Sequence, residues 1–274
     1  MILTGHKVGF LGGGAMAEAL IAGILKKELL PCSQITVSDV SNSRLTYLQE
    51  KYSVVVSDNN RTLVTKSDIV ILAVKPFIVE KILLEVKDLF IQNKMIISIA
   101  AGLTTACIEE LLDVPVPVVR VMPNTPALIG AGISAVATGK YADQQAERKA
   151  VAVFSAVGKT VLLQESLMDS VTGLSGSGPA YIYLILEALS DAGVRMGLPR
   201  DVATLLSTQT MIGAAGMVLE TGEHVAVLKD RVTTPGGTTV AGLFALEEAG
   251  VRSALMKAVE AATIRSREIS GRSK

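Results

Sequence analysis

The segment KVGFLGGGAMAEAL, residues 7–20, indicates how the first half of the chain folds. A short apolar run at residues 7–11 stops at three successive glycines, and a helical pattern follows at once. The spacing Gly12-x-Gly14-x-x-Ala17 is typical of a turn that binds a dinucleotide, because small residues let the backbone approach a pyrophosphate at a helix N-terminus. Such spacings also occur by chance, so the placement between a strand and a helix carries the prediction. The sequence therefore predicts a nucleotide-cofactor site after the first strand.

Apolar runs of strand length alternate with helical patterns as far as residue 163. We predict further strands at residues 34–38, 68–74, 95–99, 118–122, 134–138 and 159–163, and a helix at residues 143–156. Strands that alternate with helices over short connections predict a doubly wound α/β sheet.

The end of the second predicted strand carries conflicting signals about the cofactor. Asp39 lies where an acidic residue binds the adenosine ribose hydroxyls, which favours NAD. The cluster Ser41, Asn42, Ser43 and Arg44 follows, and it is suited to a 2′-phosphate. A solvated helix face is the alternative explanation for Arg44.

The strand patterns end near Gln164, and helical patterns fill the rest of the chain. We predict helices at residues 166–172, 178–196, 200–220, 240–248 and 252–267, with a frayed basic tail at residues 265–274. This change predicts two domains, residues 1–164 and residues 165–274.

The predicted helix at residues 178–196 contains AYIYLILEAL, which is apolar on every side. A helix of this kind must be covered all round, and a domain of about a hundred residues provides too little cover. We therefore predict burial in a subunit interface, with an ordinary core helix as the alternative.

The segment LKDRVTTPGGTTVAGLFALE, residues 228–247, predicts a tight turn between two helices. Pro235, Gly236 and Gly237 exclude a regular element, so backbone N–H groups and threonine hydroxyls are left to hold a carboxylate. Thr238 or Thr239 is the expected N-cap of the helix that follows. A helix-turn-helix corner without a ligand is the alternative.

Composition excludes several functional classes. Lys and Arg total 26 and Asp and Glu total 26, so the chain offers no net charge to nucleic acid or an acidic membrane. Cys32 and Cys107 lack metal-ligand spacing and predict reduced cytosolic thiols, and no metal is expected. The N-terminus shows no secretion signal, and the longest apolar run, residues 179–186, is too short to cross a bilayer. We predict a cytoplasmic protein with a small-molecule partner.

Six blocks of sequence, in family order along nearly the whole chain, resemble the Δ1-pyrroline-5-carboxylate reductases. They are FLGGGAMAEAL (10–20), LAVKP (72–76), SIAAG (98–102), MPNTP (122–126), TGLSGSGPAY (172–181) and VTTPGGTT (232–239). The resemblance implies an α/β Rossmann-type N-terminal domain followed by an all-helical C-terminal dimerisation domain. It also implies the last step of proline biosynthesis, the NAD(P)H-dependent reduction of 1-pyrroline-5-carboxylate to L-proline by a homodimer or dimer-based oligomer.

The resemblance further implies which residues bind each ligand. The residues expected to contact the cofactor are Gly12, Gly13, Gly14, Ala15, Met16, Asn60, Ala73, Val74, Lys75, Pro76, Ile99, Ala100 and Ala101. Substrate contacts are expected from Gly237, Thr238 and Thr239, with Glu165 as a weaker match. The chain departs from the family pattern at Arg231, where a cofactor-contacting Asn is frequent, and at Val225, where Pro is usual. It also has Asp39 where members that prefer NADP often have a neutral residue, yet the family favours NADP(H), so we predict NADP(H) with NADH also accepted.

Reduction of a cyclic imine requires a hydride donor, a held carboxylate and a proton on nitrogen. The imine is basic enough to be protonated near neutral pH, and the motifs contain no His, so we expect the Thr239 hydroxyl to donate or relay a hydrogen bond to the ring nitrogen. A β-hydroxyacid dehydrogenase has a similar layout but needs a Lys in the interdomain helix, and no Lys lies between Lys159 and Lys229. A nucleotide sensor or scaffold is the alternative outside the enzymes, and it has no need of a threonine-rich glycine turn.

Overall fold

The computed structural model describes residues 2–91 and 93–271, which divide into two compact units. The N-terminal unit comprises Met1–Ser177 and Ala261–Lys274, and the helical unit comprises Gly178–Glu260. The division by compactness therefore follows Ser177, whereas the boundary predicted from the sequence follows the last strand at residue 164.

An eight-stranded sheet forms the centre of the N-terminal unit, in the order β3-β2-β1-β4-β5-β6-β7-β8. Its strands are β1 (Val8–Leu11), β2 (Ile35–Ser38), β3 (Val55–Ser57), β4 (Ile69–Leu72), β5 (Met95–Ser98), β6 (Val118–Met122), β7 (Gly132–Thr138) and β8 (Gly158–Leu162). Every predicted strand is present within a few residues, and the predicted Rossmann-type class is confirmed. The short edge strand β3 was not predicted.

One pair of strands breaks the parallel pattern, since β7 runs antiparallel to β6. The link between them contains only the short 3-10 helix Thr125–Ile129. A parallel crossover needs a dozen or more residues, usually with a helix, so this short link forces the chain to return antiparallel.

Helices cover both faces of the sheet and build two apolar cores. They are α1 (Ala15–Lys26), α2 (Asn42–Tyr52), α3 (Asn60–Lys66), α4 (Pro76–Val86), α5 (Thr105–Glu110), α6 (Gln144–Phe154) and α7 (Met168–Val171), with the π-helix Thr172–Gly176. Successive strand residues alternate between the cores: Ile69 and Ile71 pack with α1, α2 and α6, whereas Val70 and Leu72 pack with α3, α4 and α5. Burial on both faces explains why the central strands are continuous apolar runs.

The helical unit contains long helices and almost no interior of its own. The helices are α8 (Gly178–Arg195), α9 (Arg200–Thr221), α10 (Val225–Arg231), α11 (Thr238–Glu248) and the first half of α12 (Val251–Gly271). Between residues 178 and 260 the buried residues are Ser190 and Ala203. Large apolar side chains are exposed instead, including Leu184 at 66% and Phe244 at 70%. The alternative of an ordinary core helix at residues 178–196 is therefore wrong for the single chain.

Within residues 2–91 and 93–271, α9 is the helix long and apolar enough to cross a membrane by length and composition, with a mean hydropathy of 1.5. Only 6% of this apolar stretch is buried in the single chain. A helix of a dimerising unit that lacks its second copy has the same properties, so this finding alone assigns no membrane span.

The prediction of a frayed tail at residues 265–274 is wrong up to Gly271. The helix α12 continues to Gly271, and its second half belongs to the N-terminal unit. The hydroxyls of Ser266 and Ser270 both donate to the carboxylate of Asp169, at 2.6 and 3.2 Å. These buried polar contacts hold the helix end, and residues 272–274 lie outside the described part of the chain.

Candidate active site

The glycine turn after β1 adopts a backbone that only glycine permits. Gly12 has a φ of +100°, and a Cβ there would lie 2.6 Å from the carbonyl oxygen of Ala73. Gly14 is the N-cap of α1, no side chain caps that helix, and a Cβ at Gly14 would meet open space. The first N–H groups of α1 therefore remain available to an anion.

Sheet topology places this turn at the point where the strand order reverses. The N–H of Gly12 donates to the carbonyl of Ser38 at the end of β2, and the N–H of Ala73 after β4 donates to the carbonyl of Leu11. Three strand ends thus meet beside the turn. Ligands of open α/β sheets bind at such a switch point, outside the carboxyl ends of the strands.

A cavity of about 630 Å³ opens at this edge of the sheet. The predicted cofactor residues that line it are Gly12, Gly14, Ala15, Met16, Asp39, Asn60, Ala73, Val74, Lys75 and Ile99. Its volume lies in the range of pockets that bind cofactors and other small ligands. The lining brings together residues from five separate loops of the sequence, which no single motif could have shown.

The other predicted cofactor residues do not line the cavity: they are Gly13, Arg44, Pro76, Ala100 and Ala101. Pro76 occupies the first turn of α4, where its missing N–H costs nothing, and Ala100 is buried. Gly13, Pro76 and Ala100 are each next in sequence to a residue that lines the cavity, and they shape the loops that carry those residues.

Six lining residues were missed by the sequence analysis: Ser38, Val40, Ile78, Lys81, Ile82 and Glu85. Four of them lie on α4 at positions i, i+3, i+4 and i+7, which form one face of a helix. These four residues could have been predicted from the sequence, because a helix that begins beside the cavity turns one face towards it.

Asp39 and Asn60 are fixed by hydrogen bonds at the β2 end of the cavity. The two oxygens of Asp39 accept from the N–H of Gly13 at 2.7 Å and of Ser41 at 2.9 Å. Asn60 accepts from the hydroxyl of Ser38 at 2.7 Å and donates to Glu85 at 3.1 Å. Both polar side chains are therefore held in place at the cavity wall before any ligand binds.

Arg44 lies against the glycine turn and α1. Its Nε donates to the carbonyl of Gly13 at 2.5 Å, and one Nη lies 2.5 Å from the carboxylate of Glu18. Glu18 accepts from three more donors, on Tyr47, Lys51 and Tyr52. Arg44 is thus engaged within the protein, contrary to the alternative of a solvated helix face.

The environment of Glu18 strongly favours its ionised form. Partial burial acts to raise the pKa of this carboxyl group, but the hydrogen bonds from its neighbours outweigh that effect and lower it from 4.5 to about 2. Glu18 is therefore ionised near neutral pH.

This shifted pKa predicts a pH-dependent stability difference for the Glu18→Gln variant. Because the folded pKa is depressed, the contribution of the carboxylate is complete above about pH 4.5 and is lost as the pH falls towards 2. We expect the urea midpoint of Glu18→Gln to lie below that of wild type at about pH 6, and the gap to narrow at about pH 3.5. Circular dichroism at both pH values measures it, and a constant gap would contradict an ionic origin.

The second predicted site, in the helical unit, is a turn that leads into α11. Gly236 has a φ of +66°, which favours glycine, and Gly237 is the N-cap of α11 with no side-chain hydrogen bond. The prediction that Thr238 or Thr239 caps the helix is therefore wrong, since both residues lie inside its first turn. Neither hydroxyl makes a hydrogen bond to any residue among 2–91 and 93–271. The N–H of Gly237 donates to the carbonyl of Thr234 at 3.0 Å, so the groups of this turn that remain open to a ligand are the first N–H groups of α11 and the two threonine hydroxyls.

Two of the three departures from the family pattern, Arg231 and Val225, precede this turn in the sequence. Arg231 pairs with both oxygens of Glu223, one contact at 2.6 Å. His224, which precedes Val225, caps α10 by accepting from the N–H of Ala226 at 3.2 Å. Both side chains stabilise the approach to the turn locally.

Glu165, the weaker candidate for substrate binding, lies in the N-terminal unit. Its carboxylate accepts from the N–H and the hydroxyl of Thr105, at 2.8 and 2.6 Å, and from the buried Arg120 at 3.3 Å. These contacts tie the end of the sheet to α5. Within residues 2–91 and 93–271 no group of three or more His, Cys, Asp or Glu side chains is arranged to hold a metal.

Two family models match the chain. A model of pyrroline-5-carboxylate reductase dimerisation matches residues 165–269. A model described as NADP oxidoreductase, coenzyme F420-dependent, matches residues 7–102. The matches cover the helical unit with its flanks and the first half of the sheet.

Similar proteins span nearly the whole chain. A pyrroline-5-carboxylate reductase of Methanosarcina acetivorans is 45% identical and covers 97% of this chain and 99% of its own. A solved pyrroline-5-carboxylate reductase of Coxiella burnetii is 37% identical with a TM-score of 0.91, covering 97% of this chain and 98% of its own. A Plasmodium falciparum pyrroline carboxylate reductase, solved with NADP bound, is 34% identical with a TM-score of 0.87 and the same coverage.

Proposed function

The chain belongs to the pyrroline-5-carboxylate reductase family, and we propose that it reduces 1-pyrroline-5-carboxylate to L-proline with a reduced nicotinamide cofactor, the final step of proline biosynthesis. The observation that carries this function is 45% identity with a reductase of that name over 97% of the chain. The enzyme is an oxidoreductase that acts on a CH–NH bond.

The cavity of the N-terminal unit fits the cofactor. Open space at Gly14 and the uncapped start of α1 suit a pyrophosphate, and Asp39 lies where the adenosine ribose binds. Ala73, Val74 and Ile99 give the cavity an apolar lining that suits the nicotinamide. When bound, the reduced nicotinamide supplies a hydride. NADP(H) is the proposed cofactor with NAD(H) also accepted, in keeping with the NADP of the Plasmodium relative.

The turn before α11 supplies what the substrate needs. The first N–H groups of α11, at the positive end of this eleven-residue helix, suit the carboxylate of the imine. The Thr239 hydroxyl, which has no hydrogen-bond partner among residues 2–91 and 93–271, donates a hydrogen bond to the ring nitrogen. Since the imine takes its proton from water near neutral pH, the turn has to orient the substrate and needs no strong acid. Glu165 remains the weaker candidate for a substrate contact.

The chain is a homo-oligomer with a small-molecule substrate. We propose a dimer, or an oligomer built from dimers, whose interface covers the exposed apolar helices of residues 165–274, with residues 1–164 as the cofactor domain. The apolar surface of α9 is then buried against a second copy of the chain, and no membrane is needed to cover it. We propose a cytoplasmic location, and the balanced charge, 26 cationic against 26 acidic side chains, supports the absence of a nucleic-acid partner.

Steady-state kinetics with purified protein tests this function. We expect oxidation of NADPH that depends on 1-pyrroline-5-carboxylate, a lower but measurable rate with NADH, and L-proline as product. No cofactor oxidation with either nucleotide, in protein that is folded and assembled, would contradict the proposal.

Replacing Gly237 with valine tests the carboxylate turn. Gly237 has an ordinary φ of −79°, so its role is to leave space: a Cβ there would lie 2.3 Å from the hydroxyl and 3.2 Å from the carbonyl oxygen of Thr234. We expect the substrate KM to rise and kcat to fall together, while the KM for NADPH stays nearly constant. An equal loss of NADPH affinity would mean that the turn does not bind the substrate.

A further inference from the structure

Arg44 connects the glycine turn to α1 and α2 at the same time. Its guanidinium donates to the carbonyl of Gly13 at 2.5 Å and lies 3.5 Å from the carbonyl of Gly14. The carboxylate of Glu18 holds it there, and the Arg44 side chain is only 27% exposed. Arg44 does not line the cofactor cavity, although Gly14 does.

These contacts fix the direction of one peptide group. The carbonyl of Gly13 and the N–H of Gly14 belong to the same planar trans amide, so they point in opposite directions. Because Arg44 binds the carbonyl on one side, the Gly14 N–H is turned away from Arg44. The other polar group of Gly13, its N–H, is bound by Asp39 at 2.7 Å, so the turn is held from both ends.

Glu18 is built to keep Arg44 in this position. Hydrogen bonds from four side chains converge on its carboxylate, from Arg44, Tyr47, Lys51 and Tyr52. The guanidinium also lies 5.0 Å from the ring centre of Tyr47. An arginine that must move to meet each ligand would not be held by so many contacts.

We propose that Arg44, held by Glu18, is a positioning residue that presets the Gly13–Gly14 peptide for the pyrophosphate of the cofactor, and that it does not bind the 2′-phosphate. The proposal rests on the proposed function, since it concerns the same cofactor. The sequence alone predicts instead that Arg44 selects NADPH by direct contact with the 2′-phosphate. Under that prediction, loss of Arg44 weakens only ligands with a 2′-phosphate, whereas a positioning role weakens ligands with a pyrophosphate.

Two nucleotide fragments separate the two roles by calorimetry. ADP carries a pyrophosphate without a 2′-phosphate, and adenosine 2′-monophosphate carries a 2′-phosphate without a pyrophosphate. We expect Arg44→Ala and Glu18→Gln to raise the Kd for ADP about 5- to 30-fold, the range for one or two hydrogen bonds. The Kd for adenosine 2′-monophosphate should stay within about 2-fold of the wild-type value. The control Lys87→Ala removes an exposed ion pair with Asp113 in the same unit and should change neither Kd.

Kinetics gives a readout that a purely structural role would not produce. In both variants the KM for NADPH and the KM for NADH should rise by the same factor, while kcat and the substrate KM stay near wild type. If Arg44→Ala does not fold, Arg44→Lys keeps the charge but cannot reach Gly13 and Glu18 together, and it should show the same pattern.

Two results would overturn the proposal. One is a loss of adenosine 2′-monophosphate or NADPH affinity with ADP and NADH unchanged, which would assign Arg44 to the 2′-phosphate. The other is unchanged ADP affinity in all variants. Failure of the proposed function itself looks different, because wild-type protein would then bind ADP without reducing 1-pyrroline-5-carboxylate.

Discussion

Replacing Leu184 with aspartate is expected to abolish assembly and, with it, enzyme activity. Leu184 lies on α8 and is 66% exposed in the single chain, within a unit that has almost no core of its own. In the proposed dimer the symmetry places two copies of the substitution in one interface. An uncompensated buried charge costs about 3 to 5 kcal/mol, so two of them remove most of the stability of an obligate dimer.

Sedimentation and the reductase assay measure this loss. The matched control is Leu84→Asp, because Leu84 is also an exposed leucine, at 51%, but lies on α4 of the N-terminal unit. We expect Leu84→Asp to stay soluble, assembled and active. A soluble, active monomer from Leu184→Asp would show that the apolar face of α8 is not an essential interface.

Replacing Thr239 with alanine should slow turnover about 5- to 150-fold. The side chain sits in the first turn of α11, half buried, and its hydroxyl has no hydrogen-bond partner among residues 2–91 and 93–271. One hydrogen bond to the reacting nitrogen is worth about 1 to 3 kcal/mol, which corresponds to that range of rates. Thr239→Ser keeps the hydroxyl and should be much milder.

The control for Thr239 is a threonine whose hydroxyl is already satisfied. Thr204 on α9 donates to the carbonyl of Arg200 at 2.9 Å, and Thr204→Ala should retain the wild-type kcat. If Thr239→Ala also turns over at the wild-type rate, this hydroxyl takes no part in the reaction.

The glycine turn could be predicted because its requirements are local. Gly12 has a left-handed backbone and lies close to Ala73, and the spacing of the glycines in the sequence indicates both features. The same holds for Gly236 before α11. In both places the structure has a turn where the sequence predicts one, and each turn leads into a helix.

Features that depend on long-range packing were not predicted. The role of Arg44 depends on Glu18, which is distant in sequence and lies on another helix. The start of α11 at Thr238 reflects the geometry of the turn, which makes Gly237 the N-cap despite the better capping side chains beside it. Short elements such as β3 carry too few residues for a periodic pattern.

The antiparallel pairing of β6 and β7 could have been predicted from the sequence. The apolar patterns of β6 and β7 are the same for either direction, since both strands are buried. Direction is set by the short link between them, and the length of that link is visible in the sequence.

Isotope transfer shows directly whether a hydride passes from the nicotinamide to the imine carbon of 1-pyrroline-5-carboxylate. NADPH deuterated at both C4 positions of the nicotinamide is incubated with the enzyme and substrate, and the product is examined by mass spectrometry and NMR. We expect L-proline with one deuterium, located at the δ carbon where the C=N bond was reduced. Proline without deuterium, or no proline while the cofactor is oxidised, would contradict it.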